Sequence, residues 1–513
     1  MKTLFLFFIL SAFYVVGFSQ QITYTEPEPQ DSRSIDFEII GKIHDNYLIY
    51  KNNRSNYAIC SYDNSMKLLN RTELRFLPDK ILNVDFIVYP DFAYLIYQFQ
   101  KKNVLYCSAV KINSDGKLMI DPVRLDTTHI GFFADSKIYS TVVSEDKSKI
   151  MVYKIQKKDG KFNFTTLLFD DSLRLQHESK IASDFDDKKD LFSDFFVDNT
   201  GNFVFTRGNR SSARDFMQDL SLVTKSPGID TLSINRIDLS GNYLDDIKLK
   251  IDNQNKHYVI NSLYYLKKRG NVDGIFTGVW DVDNKNMISQ NFQHLGDSVR
   301  LVAKTDGNEK SALNDYFIRN IVLKKDGGFI LTAEDYYSQS QGSPWNRYDY
   351  LYGYPSFSPY SYGYGGYGGY GGYGGYGGYG GYGGSPYNNY GSRSRYYYNN
   401  ILVISMDKTG KPDWASVISK SQYDDQTDNF LSYVLILTGG QLHFLFNSLE
   451  RRNFLLGDQS VSGSGTITRN PPFRSLDRGY QFMPKFGKQV SSNEIIIPCT
   501  YRNYICFSKI EFP

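Results

Sequence analysis

The motif Tyr47-Leu48-Ile49-Tyr50 returns as Tyr94-Leu95-Ile96-Tyr97, an offset of 47 residues. Asn56 and Cys60-Ser61 return in the same register as Asn103 and Cys107-Ser108. Three matches at one offset define a repeat of strand, turn and strand, and a repeat near fifty residues constrains the fold more than any bulk property. Looser copies of its apolar strand lie at 150–153, 203–206, 275–279, 329–333, 443–446 and 495–498. Turn dipeptides such as Asp115-Gly116, Asp159-Gly160, Thr409-Gly410 and Gly439-Gly440 separate them. Each supplies the positive φ that a tight hairpin needs.

Tyr 42 and Phe 36 outnumber Trp 3, and such residues favour pleated, half-buried surfaces over helices. The expected fold is therefore all-β, a single β-propeller of eight blades, with seven as the alternative count. A β-sandwich pair or a solenoid is the structural alternative. Each four-stranded blade cannot bury its faces alone, so neighbours must stack around a ring. The last clear strand lies at the C-terminus, which leaves its blade short of an outer strand. Segment 34–40 is expected to supply it, pairing the N- and C-terminal strands.

The start of the chain sets the compartment. Lys2 gives a positive n-region, 4–16 is an apolar h-region too short to span a bilayer, and Gly17 and Ser19 are small. Residues 1–19 are read as a cleaved signal peptide, 20–33 as an N-terminal extension and 34–513 as the propeller. No later run approaches about 18 uninterrupted apolar residues, so no membrane helix is expected. The net charge of +3 is too small to point to nucleic acid.

If the strongest strand of each repeat is its second, three insertions fall between second and third strands, at 207–230, 338–399 and 447 to about 488. All three are then expected on one face of the disc, where such loops mark a binding surface. They carry more Lys and Arg than Asp and Glu, which makes that face cationic and suits an acidic partner. The alternative is solvated loop arginines with no partner. The second insertion holds a Gly/Tyr-rich stretch, assigned to 339–399 as a flexible segment. Its triplets place Tyr364, Tyr367, Tyr370, Tyr373, Tyr376, Tyr379 and Tyr382 three residues apart. Glycine at two of three positions opposes a helix, and tyrosine gives large contact area with few rotatable bonds. These tyrosines, with Arg393, Arg395, Arg451, Arg452, Arg474 and Arg478, are the expected partner-binding residues. The alternative is a tolerated low-complexity loop.

No pattern for chemistry emerges. The six histidines are dispersed, with no zinc spacing. Nucleophile elbows and phosphate loops are missing from the sequence. Asp281-Val282-Asp283-Asn284 lacks the glycine and glutamate of a calcium loop. No catalytic, cofactor or metal residue is assigned, and the protein is read as a non-enzyme. The cysteines are Cys60, Cys107, Cys499 and Cys506. A hairpin centred on Arg502-Asn503 would set Cys499 opposite Cys506. A cross-strand disulfide there would require a non-hydrogen-bonded pair; two buried free thiols are the equal alternative.

Leu323-Lys-Lys-Asp-Gly-Gly-Phe-Ile-Leu-Thr-Ala-Glu334 and Ile401-Leu-Val-Ile-Ser-Met-Asp-Lys-Thr-Gly410, with Trp414, resemble the blade repeats of secreted propeller proteins of Bacteroidota. The leader ending Phe18-Ser19-Gln20-Gln21 is similar to leaders of that phylum. Asp126-Thr127-Thr128, Asp171-Ser172-Leu173, Asp230-Thr231-Leu232 and Asp297-Ser298-Val299 match its O-glycosylation pattern. Within the group the chain resembles the plug component of the type 9 secretion system translocon. The resemblance implies a periplasmic, non-enzymatic protein that docks on an outer-membrane complex or translocon barrel and occludes a secretion channel. It would act as a monomer within a hetero-complex, with no cofactor and no nucleic acid. The alternative function is a secreted glycan-binding or glycan-cleaving propeller.

Overall fold

The computed structural model describes residues 21–28, 35–131, 134, 137–158, 160–186, 188–212, 215–304, 309–340, 345–352, 394–450, 453–473, 479–502 and 504–513. Nearly all regular structure in them is β, paired antiparallel into seven sheets. We number the successive four-stranded sets 1 to 8 and letter their strands A to D. Set 1 is Ile35–Ile43, Asn46–Asn53, Asn56–Tyr62 and Leu68–Glu73; set 2 is Asn83–Val88, Ala93–Lys101, Val104–Ile112 and Val123–His129. Set 3 is Ser140–Val143, Lys149–Lys158, Lys161–Asp170 and Leu175–Ser183; set 4 is Asp190–Val197, Phe203–Arg210, Met217–Lys225 and Ser233–Ile237. Set 5 is Lys248–Asp252, His257–Tyr265, Gly274–Asp281 and Asn286–His294; set 6 is Tyr316–Leu323, Phe329–Ser340, Ser394–Met406 and Pro412–Ile418. Set 7 is Val434–Thr438, Gln441–Glu450, Asn453–Val461 and Ile467–Phe473. Sets 4 and 5 share one nine-stranded sheet, because Tyr243–Leu244 pairs with Met217 on one side and with Tyr264 and Tyr265 on the other.

Set 8 draws on both ends of the chain. Its A strand is broken into Tyr480–Phe482 and Lys488–Gln489, B is Glu494–Tyr501 and C is Tyr504–Glu511. Its D strand is Gln21–Tyr24, in register from Gln21 opposite Glu511 to Tyr24 opposite Ser508. This corrects the expectation that segment 34–40 fills that place. Ile35–Ile43 has two faces to bury, with Phe37 and Ile39 against set 8 and Ile40 and Ile43 against set 2, so it takes an inner position. Gln21–Tyr24 stays half-exposed, as an outer strand does.

The core is a series of layers between consecutive sets. Along Ala93–Lys101, Leu95 and Tyr97 face set 1 while Tyr94 and Ile96 face set 3, which is the two-residue period of a strand buried on both faces. The same sharing joins sets 3 and 4, 4 and 5, 5 and 6, 6 and 7, and 7 and 8. A further layer packs Met483, Ile496, Ile505 and Phe507 of set 8 against Tyr47, Ile49 and Cys60 of set 1.

Two of the three expected insertions are ordinary strands. Most of 207–230 is the end of strand B and all of strand C of set 4, and 447–488 contains strands C and D of set 7. Only the second insertion lies between B and C, and 353–393 of it falls outside the described residues. Two short α-helices interrupt the strands: α1 (Asp297–Ala303), which contains the Asp297-Ser298-Val299 triplet, and α2 (Arg347–Tyr352).

Candidate interaction surface

The second insertion leaves set 6 through its longest hairpin. Strands B and C pair out to Ser340 opposite Ser394, past a bulge between Glu334 and Tyr336. A third short strand, Gln422–Asp424, pairs with Tyr396–Tyr398. Alternation then divides this overhang into two aromatic faces.

One face, with Tyr336, Tyr396 and Tyr398, packs on Phe317 and Leu431 and receives Trp345, Tyr350 and Leu351 from α2 and its approach. Arg347 anchors the helix. Its Nε donates to Asp245 Oδ2 at 2.5 Å, its Nη1 donates to the Asn314 and Tyr316 carbonyls, and its guanidinium lies 3.9 Å from the Phe317 ring centroid. Burial, the largest influence, opposes its charge, but Asp245, Tyr265 and Asp246 together outweigh it and push its pKa further up. Trp345 Nε1 donates to Asp315 Oδ1 at 2.7 Å. Arg210, fully buried, donates to Tyr348 Oη.

Beneath this cluster lies a buried charge network. Glu334 accepts from Ser432 Oγ at 2.6 Å and pairs with Lys420 at 2.9 Å and Arg319 at 3.4 Å. Burial pulls the Lys420 pKa down, partly offset by Glu334. Lys485 pairs with Asp428 at 2.6 Å. Such networks fix geometry rather than add net stability.

The opposite face carries a stack. Tyr337 and Tyr397 lie 4.4 Å apart and nearly parallel, and Tyr423 follows at 6.2 Å from Tyr397. Tyr423 is 63% exposed, with the Arg395 guanidinium 5.3 Å from its ring centroid and Arg395 paired to Asp425. The alternating sequence Arg395-Tyr396-Tyr397-Tyr398 thus serves a buried face and an open one.

Of the expected partner-binding residues, only Arg395 is described here. Tyr364, Tyr367, Tyr370, Tyr373, Tyr376, Tyr379, Tyr382, Arg393, Arg451, Arg452, Arg474 and Arg478 lie outside the described residues. The expected cationic face loses several contributors. Arg207 pairs with Asp190 at 2.8 Å, Lys485 is buried on Asp428, and Lys488 Nζ donates to the Ile39 and Ile40 carbonyls at 3.0 Å each. Arg207 and Lys488 lie on strands and Lys485 on the short 3-10 turn Pro484–Phe486, so none of the three stands on an open loop. Nothing in the sequence links Arg347 to Asp245 or Glu334 to Lys420. The signal available was the cluster of Trp345, Tyr348, Tyr350 and Leu351 just before the glycine-rich stretch.

Cys499 and Cys506 stand directly opposite each other in the last hairpin, as expected, and both are buried free thiols here. Several histidines each pair with a single carboxylate, His177 with Asp230, His294 with Asp273 and His443 with Asp458. No described helix is long and apolar enough to cross a membrane.

No family model matches the chain, and no curated protein matches it. Similar solved structures include prolyl oligopeptidase B from Galerina marginata, at TM-score 0.41 and 8% identity over 92% of this chain and 56% of that one. Oligopeptidase B from Leishmania major is similar at TM-score 0.38 and 8% identity, over 91% of this chain and 54% of that one. Polysaccharide lyase Uly1 is similar at TM-score 0.39 and 9% identity, over 83% and 89%. The chain spans little more than half the length of the two peptidases, and none of their site residues is carried over to it.

Proposed function

We propose that the chain is an eight-bladed β-propeller, closed by Gln21–Tyr24 on Tyr504–Glu511, that works by binding. In this reading it is a non-enzymatic periplasmic protein that docks on an outer-membrane complex through the insertion of set 6 and occludes a secretion channel. The observation that supports it is the anchoring of that insertion at its root. Arg347 on Asp245 fixes α2 before the Gly/Tyr-rich stretch, and the Tyr337–Tyr397 stack, with Tyr423 tilted beside it, stands where the chain returns. A loop tolerated by chance needs no built foundation at its root. Held roots lower the ordering entropy that a tyrosine-rich arm must lose on binding.

The test is mild crosslinking in native envelopes followed by mass spectrometry, on the full chain and on a variant lacking 354–390. The proposal expects an outer-membrane protein crosslinked to the full chain and lost from the folded deletion variant. Recovery of soluble glycans alone would favour the glycan-binding reading, and equal recovery by both proteins would discard the arm.

A further inference from the structure

We propose that Cys499 and Cys506 are a site of disulfide formation, closing a covalent bond across the last hairpin when the chain meets a thiol–disulfide oxidant. The proposal concerns the local geometry and does not depend on which partner the protein binds.

The two residues are register partners, and their sulfurs lie 2.9 Å apart in the layer between sets 7 and 8. Bond directions define the type of pair. The Phe507 amide donates to Thr25 Oγ1 at 3.0 Å, its carbonyl accepts from the Thr25 amide at 2.9 Å, and the Ile505 carbonyl accepts from the Glu28 amide at 2.8 Å. Residues 505 and 507 therefore turn their backbone groups toward the N-terminal segment. On the other side, the Pro498 carbonyl accepts from the Met483 amide at 2.8 Å. Alternation turns the backbone groups of Cys499 and Cys506 toward each other, so theirs is a hydrogen-bonded pair. This differs from the non-hydrogen-bonded pair expected from the sequence. A hydrogen-bonded pair places the Cα atoms about 5.5 Å apart, which still lies inside the range of about 4.4–6.8 Å that disulfides span.

Cys60 and Cys107 provide the contrast. Both are buried, and they lie in different layers, Cys60 between sets 1 and 8 and Cys107 between sets 2 and 3. They share no layer with each other or with the pair.

The chemistry is a two-step exchange. The thiolate of one cysteine attacks a disulfide of the oxidant and expels one oxidant thiolate, forming a mixed disulfide. The thiolate of the other attacks the protein sulfur of that intermediate and expels the second oxidant thiolate. Two protein thiols are oxidised, one oxidant disulfide is reduced to two thiols, and the two protons pass to the leaving thiolates. Both sulfurs are sealed in the folded chain, and burial pushes the Cys499 thiol well above its ordinary pKa, so the exchange belongs to folding and precedes closure of the layer.

The test is refolding of the full chain in a glutathione redox buffer, then denaturing alkylation without reduction, and peptide mass analysis. The expected result is alkylation at Cys60 and Cys107 only, with the peptide spanning 499–506 lighter by two hydrogens than its reduced form. Alkylation of all four cysteines, or a disulfide involving Cys60 or Cys107, would overturn the proposal. Refolding of Cys499→Ser and Cys506→Ser single variants guards against a folding failure. Each should leave its remaining partner alkylated or carrying glutathione.

Discussion

Tyr47 Oη donates a 2.5 Å hydrogen bond to Glu494 Oε1, joining set 1 to set 8 across 447 residues of chain. Lys42 Nζ donates to the other carboxylate oxygen at 3.0 Å, and Lys509 stands 3.5 Å away. The first and last sets are thereby tied by charge as well as by their shared apolar layer. Burial opposes ionisation of Glu494, but the bonds from Tyr47 and Lys42 outweigh it and hold the carboxyl below the usual glutamate range. A depressed carboxylate pKa contributes stability that is full above the unfolded value, about 4.3, and fades as pH falls through the lower folded value. Glu494→Gln is expected to cost about 1–3 kcal/mol near neutral pH and to flatten the acid limb of the stability profile. Urea midpoints at a series of pH values check this. Curves for variant and parent that stay parallel into the acid range would contradict it.

Removing residues 20–28 deletes the outer strand of set 8 and the 4.3 Å stack of Tyr24 on Tyr480. Tyr504–Glu511 then becomes an uncovered edge with unpaired backbone groups, a template for association. The expected outcome is a lower thermal midpoint and concentration-dependent aggregation in light scattering. A truncated chain with the parent's midpoint and a single monomer peak would show that Gln21–Tyr24 is dispensable.

The sequence disclosed the inner strands well and the outer ones poorly, for a physical reason. Tyr47–Tyr50 and Tyr94–Tyr97 bury side chains on both faces, so their register leaves a strong apolar signature. Ile467–Phe473 buries only Phe473 and leaves its other residues half-buried or exposed, and its Pro471-Pro472 reads as loop. Met217–Lys225 and Asn453–Val461 mix polar residues into the apolar pattern, which made them look like insertions. The anchoring of α2 was hidden differently. Arg347 and Asp245 are 102 residues apart in sequence, and neither belongs to a motif that announces the other. The ties of Asp126-Thr127-Thr128 in set 2 were equally hidden: Asp126 pairs with Lys154 at 2.7 Å and buried Thr128 Oγ1 bonds Tyr139 Oη at 2.6 Å.

Gly116 tests how turns lock neighbouring sets. Its φ is +76°, and a Cβ there would sit 2.6 Å from Ile59 Cγ2 in set 1. Gly160 has nearly the same φ, +75°, with nothing within 4 Å of its virtual Cβ. Gly160→Ala should therefore cost only the left-handed penalty, about 1 kcal/mol, while Gly116→Ala adds a clash and should cost about 2–3 kcal/mol. Denaturant midpoints of the two variants give the difference directly. Equal costs would mean that the turn of set 2 does not bear on set 1.

Arg347 and Asp245 form the pair on which the root of the insertion depends. The Asp245 side chain is fully buried and also accepts from Tyr265 Oη at 2.5 Å, while the Arg347 side chain is 10% exposed. Arg347→Met removes the cation and strands a buried carboxylate, a loss of about 3–5 kcal/mol when the surroundings cannot relax. Here they can relax, because α2 is a single short helix that can lift away. The expected result is therefore local: faster chymotryptic cleavage at Tyr348 and Tyr350 and faster amide exchange across Arg347–Tyr352, with a smaller fall in the global midpoint. Asp245→Asn removes the charge that makes the loss costly. In that background Arg347→Met should do much less further harm, giving a coupling energy of about 1–3 kcal/mol in a double-mutant cycle. If the two substitutions add without coupling, the ion pair does not hold the helix, and the aromatic contacts of Trp345 and Tyr350 must hold it alone.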